Sequence, residues 1–167
     1  MFKSFSEIFN ELAARGSRKR MVAAWGVDGH TIAASAKAVA LGLADVTLVG
    51  DRDMIAAACA EEGVGVSVFT VVHNPSELPS VAEAVRMVRE GEGDFLMKGL
   101  CSTDKFLRAV PNKETGLLPP KGTLPHCTTL EIPSYHKLLF VGDVAVIPAP
   151  DFKQKQLIMD FLVRTAK

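Results

Sequence analysis

RMVAAWGVDGHTIAASAKAVALGLADVTLVGD, residues 20–51, decides the fold. Two short apolar runs, 20–25 and 46–49, enclose an alanine-rich segment, 31–41, of high helix propensity. Each run ends in glycine: Trp25-Gly26-Val27-Asp28-Gly29 after the first, Gly50-Asp51 after the second. The runs show no polar alternation, as expected of strands covered on both faces. Strand, helix and strand of this length form a crossover unit, and the strands then run parallel.

The pattern continues on both sides. An amphipathic helix is expected over 4–14, a helix over 52–62, a strand over 66–71, a helix over 80–90 and a strand over 94–97. Residues 111–125 carry Pro119-Pro120 and read as a loop. Three β-like runs follow, 128–132, 137–141 and 144–148. With no helix between them they predict an antiparallel addition. Asp151 is placed to cap a last helix reaching about residue 163. The expected class is α/β: a Rossmann-like three-layer αβα domain with a mostly parallel sheet and a small β-rich addition near the C-terminus. Residues 1–150 are read as one N-terminal α/β domain, and 151–167 as a helix leading toward a second domain.

The composition narrows the function. Lysine plus arginine equals aspartate plus glutamate at 19 each, so no net basic field argues for nucleic acid or an anionic membrane. The only dense basic patch is Arg15, Arg18, Lys19 and Arg20, read as a solvated helix end. No apolar run approaches the ~20 residues that cross a bilayer, and residues 2–12 mix charge with apolar groups, unlike a signal peptide. Cys59, Cys101 and Cys127 have no CxxC spacing. They give no zinc signature and fit a reducing cytoplasm.

Chemistry is expected where strands end. In DFLMKGLCSTDKFLRAV, residues 94–110, an apolar strand runs into Lys98-Gly99, then hydroxyls, then a helix. Gly99 allows close backbone approach, and Ser102 or Thr103 can cap the helix. Arg108, about a turn further on, can reach back with a guanidinium that grips phosphate through two parallel hydrogen bonds. An ordinary capped helix with a surface arginine fits the spacing equally well. The 25–31 turn reads either as facing a ligand or as a tight βα turn, with His30 a cap or surface residue rather than an acid–base group. His126, Tyr135 and His136 have no carboxylate at metal-ligand spacing and read as structural. Of Asp143 and Asp151, which flank 144–148, the second is the helix cap.

DFLMKGLCSTDKFLRAV, NKETGLLPP, EIPSYHKLLFVGDVAVIPAPD and LADVTLVGD together closely resemble the phosphate acetyl/butyryl transferases, and among them the phosphate butyryltransferases. Gly142 departs from the pattern, standing where a serine is expected. The resemblance implies reversible acyl transfer between coenzyme A and inorganic phosphate: butyryl-CoA plus phosphate gives butyryl phosphate plus CoA. It implies a two-domain enzyme with its site in the cleft, forming dimers or larger homo-oligomers, and a phosphate-binding role for Arg108. The partners implied are acyl-CoA, inorganic phosphate and acyl phosphate, with no nucleic acid, membrane or metal. No separate cofactor is implied, coenzyme A being a substrate. Direct transfer needs no protein nucleophile, so Cys101 is read as a small buried residue. Lys98, Gly99, Ser102, Thr103 and Arg108 are the substrate-side candidates. The family's catalytic segment is expected in a C-terminal half that this chain does not match, so it is read as a partial enzyme. The alternatives are a non-catalytic ligand-binding or oligomerising half-domain, and a phosphate acetyltransferase.

Overall fold

The computed structural model describes residues 2–167. They fall into two compact units: Arg15–Lys121, and the segment up to Ala14 together with Gly122–Lys167. Residue 150, the boundary expected from the sequence, lies inside the second of these units.

In the unit Arg15–Lys121, strands β1 (Lys19–Ala24), β2 (Ala44–Gly50), β3 (Thr70–His73) and β4 (Phe95–Lys98) form one sheet. Their order is β3-β2-β1-β4 and every pairing is parallel. Met21 pairs with Val46 on one side and Phe95 on the other, and Thr47 pairs with Thr70. The crossover helices are α2 (Gly29–Ala40), α3 (Arg52–Glu61) and α4 (Glu77–Arg89), with α5 (Thr103–Ala109) following β4.

Side chains alternate across a strand, so β1 feeds two cores. Met21 and Ala23 pack with Leu48, Ile32 of α2, and Ile55 and Cys59 of α3. Val22 and Ala24 pack with Val49, Val81 and Ala84 of α4, and Cys101. Helices thus cover both faces of the parallel sheet, which is the three-layer arrangement expected from the uninterrupted apolar strands. Ile32, Leu48 and Ile55 are fully buried, each side chain contributing about 1.5–3 kcal/mol of transfer free energy. Asp28 caps α2 by accepting from Thr31 N at 3.0 Å. Asp51 caps α3 by accepting from Met54 N at 3.0 Å.

The second unit contains α1 (Phe5–Ala14), an antiparallel pair β5 (Thr128–Leu130) and β6 (Leu139–Val141), and α6 (Phe152–Ala166). Phe5 N donates to Glu131 Oε2 at 2.7 Å, tying the start of α1 to the end of β5. Asp151 and Gln154 form a reciprocal capping box on α6, and Ile158 is its buried anchor. Among the described residues, no helix is long and apolar enough to cross a membrane.

Three expectations need correction. Residues 66–71 do not form one strand: Val66–Val68 is a 3-10 turn and the strand is Thr70–His73. The run 144–148 is not a strand. Asp143 Oδ1 accepts from Ala145 N and Val146 N, both at 2.9 Å, so those donors are unavailable to a ladder. Helix α4 starts at Glu77, three residues before expected. Pro79 lies in its first turn, where a missing N–H costs nothing.

Candidate functional site

The winding direction of the sheet reverses after β3. From β1 the chain moves outward to β2 and β3, then crosses back to place β4 on the free side of β1. A reversal shifts the next crossover helix to the opposite face. The loops after β1 and β4 therefore diverge and leave a crevice at the carboxyl ends of the strands, the usual ligand position in open α/β sheets.

Gly99 and Trp25 build the floor of this rim. Gly99 N donates to Ala24 O, and Leu100 N to Trp25 O, both at 3.0 Å. A Cβ on residue 99 would lie 2.5 Å from Trp25 O and 2.9 Å from Ala24 O. The close approach that Gly99 permits is therefore to the neighbouring strand, and its N–H is taken up there. Trp25 has φ 53, a left-handed conformation uncommon for a bulky residue and found preferentially where function constrains a backbone. In the turn after it, the Asp28 carboxylate occupies the start of α2, bonding both Thr31 N and Thr31 Oγ1. That turn has the geometry of a tight, self-capped connection, and His30 is exposed beside it.

Lys98, Ser102, Thr103 and Arg108 are all exposed on this stretch. Lys98 ends β4, its Nζ 3.4 Å from Gly99 O. Ser102 caps α5, its Oγ accepting from Lys105 N at 3.4 Å, and Thr103 is the first helical residue. Arg108 lies in the last turn and leans back along the helix, with Nε donating to Asp104 Oδ1 at 3.1 Å. Its side chain is 80% exposed, so the guanidinium is accessible to solvent while paired.

The sequence pattern does not signal the contacts of two residues here, Glu77 and Lys105. Glu77, the first residue of α4, sends Oε1 to accept from Ser102 N at 2.5 Å, and Oε2 accepts from Lys105 Nζ. The Lys105 ammonium, then the Ser102 N–H, hold the Glu77 carboxyl below the usual carboxylate range, with Lys98 adding to the effect. Glu77 stands 25 residues from Ser102 in sequence, so only the crossover brings them together and no local spacing signals it. Cys101 is 1% exposed beneath this turn, and burial pushes its thiol up, the opposite of an activated nucleophile.

The remaining candidates belong to the other unit. His126 N donates to Asp143 Oδ2 at 2.7 Å, and the His126 ring lies 3.3 Å from Thr128 Oγ1. The Tyr135 and His136 rings pack at 4.8 Å. Desolvation raises the Asp143 carboxyl, but the N–H groups of Ala145, Val146 and His126 outweigh it and hold it down to about 2. These contacts organise turns. Among the described residues, no three His, Cys, Asp or Glu side chains are grouped to hold a metal.

The rim lies at the switch point of an open, parallel α/β sheet, the usual ligand position in that class. No family model matches the chain. It is 37% identical over 166 residues to the phosphate butyryltransferase of Clostridium acetobutylicum, covering 99% of this chain and 54% of that protein. It is 32% identical over 155 residues to the phosphate butyryltransferase of Clostridium beijerinckii, covering 93% of this chain and 51% of that one. A branched-chain phosphotransacylase from Enterococcus faecalis V583 superposes with a TM-score of 0.71 at 22% identity, over 89% of this chain and 51% of that structure. Over the span it matches, the chain is similar to the phosphate acetyl/butyryl transferases. It spans about half the length of the curated relatives it matches.

Proposed function

We propose that the chain is part of a phosphate acyltransferase that moves a butyryl group reversibly between coenzyme A and inorganic phosphate, and that the rim after β4 binds the phosphate. The observation that carries this reading is the 37% identity to a phosphate butyryltransferase along 99% of the chain. In the direction that forms the thioester, the CoA thiolate attacks the acyl carbon of butyryl phosphate. A tetrahedral oxyanion forms, and its collapse breaks the acyl–oxygen bond and releases phosphate. The leaving group carries the negative charge away, so cations beside it lower the barrier. Lys98 and Arg108 supply them, with Arg108 exchanging Asp104 for two phosphate oxygens. Ser102 and Thr103 offer hydroxyl donors, and Gly99 holds the turn against β1. No protein nucleophile enters the transfer, which accords with a buried Cys101. The same reading takes the protein as cytoplasmic and homo-oligomeric, with coenzyme A as a substrate and no separate cofactor.

Inorganic phosphate binding, followed by titration calorimetry, tests the site. Arg108→Ala is expected to weaken it about tenfold or more, and unchanged affinity would remove Arg108 from the site. Release of CoA thiol from butyryl-CoA and phosphate tests the activity. With only about half the relatives' length present, the chain alone is expected to bind phosphate without turnover.

A further inference from the structure

Two donors in the segment beyond β4 are already engaged by an anion. The Glu77 carboxylate bridges Ser102 N–H and the Lys105 ammonium. Its side chain is only 24% exposed, so it is screened less than the Asp104–Arg108 pair, whose side chains are 67% and 80% exposed. Each Glu77 oxygen takes a different donor from the segment beyond β4, and the Lys98 charge also acts on this carboxylate. A phosphoryl group presents the same chemistry as that carboxylate: negative oxygens seeking an N–H and an ammonium. Both anions cannot hold these donors together, because like charges at contact distance repel.

We propose that Glu77 is an internal competitor for phosphate. In the ligand-free protein its carboxylate occupies Ser102 N–H and Lys105, and phosphate binding displaces it. The idea rests on the phosphate site proposed above and adds Lys105 to it. Two functional consequences follow. Phosphate affinity is set below what the cations alone would give, which favours release of an anionic product. Lys105, held by Glu77 in the empty site, is delivered to the ligand when the pair opens, so the site is never left with an unpaired cluster of cations.

The test is calorimetric titration of inorganic phosphate into the wild-type chain, Glu77→Gln and Arg108→Ala. Glutamine keeps an acceptor for Ser102 N–H and removes the charge. Glu77→Gln is expected to bind phosphate about tenfold more tightly. Equal or weaker binding, with wild-type binding still lost in Arg108→Ala, overturns the competitor role and leaves the phosphate site standing. Absence of phosphate binding in all three overturns both. A second measurement needs no variant. The Glu77 carboxyl, followed by carbon-detected NMR through a pH titration, is expected to titrate at higher pH in saturating phosphate, because it has lost Lys105 and gained a negative neighbour. An unchanged titration would mean the ion pair survives binding, and the proposal fails.

Discussion

The two ends of the β1–β4 pairing are joined in opposite ways. At the amino end, Asp94 and Arg20 hold each other through charge and backbone at once. Asp94 Oδ2 accepts from Arg20 N at 2.7 Å, Asp94 Oδ1 from Arg20 Nη2 at 2.8 Å, and Asp94 N donates to Arg20 O at 2.8 Å. At the carboxyl end the strands meet through bare backbone: a glycine against two carbonyls, beside a tryptophan with φ 53. One end is a redundant clamp of backbone and charged hydrogen bonds. The other trades redundancy for a close approach, a constrained backbone and cations on the surface. The difference separates an end fastened by charge and backbone together from the end where open α/β sheets usually take their ligands.

The largest effect is expected from breaking the carboxyl end. Gly99→Ala drives a methyl into Trp25 O and Ala24 O. Backbone carbonyls in a sheet cannot rotate aside, so β1 and β4 must part. A loss of about 3 kcal/mol, the upper range of overpacking, is expected in denaturant unfolding. Phosphate binding should fall with it. A variant of wild-type stability would show that the two strands are looser at the rim than their hydrogen bonds indicate.

Gly93, on the amino side of β4, gives the matched control. A Cβ there meets Val22 Cγ2, a side-chain methyl, with Val88 Cγ2 at 3.3 Å. A buried methyl can be repacked where a carbonyl cannot. Gly93→Ala is expected to cost about 1–2 kcal/mol and to leave phosphate affinity unchanged. Adding Val22→Ala should recover part of the loss, because the two sites share one space. If Gly93→Ala proves as costly as Gly99→Ala, the contrast between carbonyl and methyl neighbours is wrong.

Most of the αβα unit could be read from its residues because its signals are local and reinforce one another. Unbroken apolar strands, an alanine-rich crossover and glycine stops at residues 26 and 50 all require a parallel, doubly covered sheet. Where local signals were degenerate, the reading slipped. The β-branched stretch 66–71 contains both a turn and a strand, and only pairing with Thr47–Gly50 selects 70–73 as the strand. The run 144–148 looks extended, but the Asp143 side chain claims its N–H groups, a contact that hydrophobic pattern does not encode. The candidate site divides in the same way. Lys98 to Thr103 could be located because they follow a strand end directly. Glu77 and its hold on Lys105 could not, because that contact spans 28 residues and depends on a helix start that lies three residues before its expected place.

The smallest expected effect comes from titrating the amino-end clamp. Its groups are exposed, so solvent screens the pair. The hydrogen bond from the Arg20 guanidinium, then that from the Arg20 N–H, hold the Asp94 carboxyl down to about 2. A carboxyl whose pKa is lower in the folded than in the unfolded chain stabilises the fold when ionised. The contribution is complete above the unfolded value, roughly 3.9, and is lost as pH falls from there through about 2. Asp94→Asn should therefore lower Tm modestly at neutral pH, with the gap to wild type narrowing as pH falls through this window. Raising the salt concentration at neutral pH should narrow the gap too, because the lost interaction is partly Coulombic and exposed. Phosphate affinity should not change, since the substitution lies at the far end of the sheet from the rim. A Tm gap that stays constant from pH 7 to pH 2 would mean that the backbone bonds at Arg20 and Asp94, and not the charge pair, hold this end of β1 to β4.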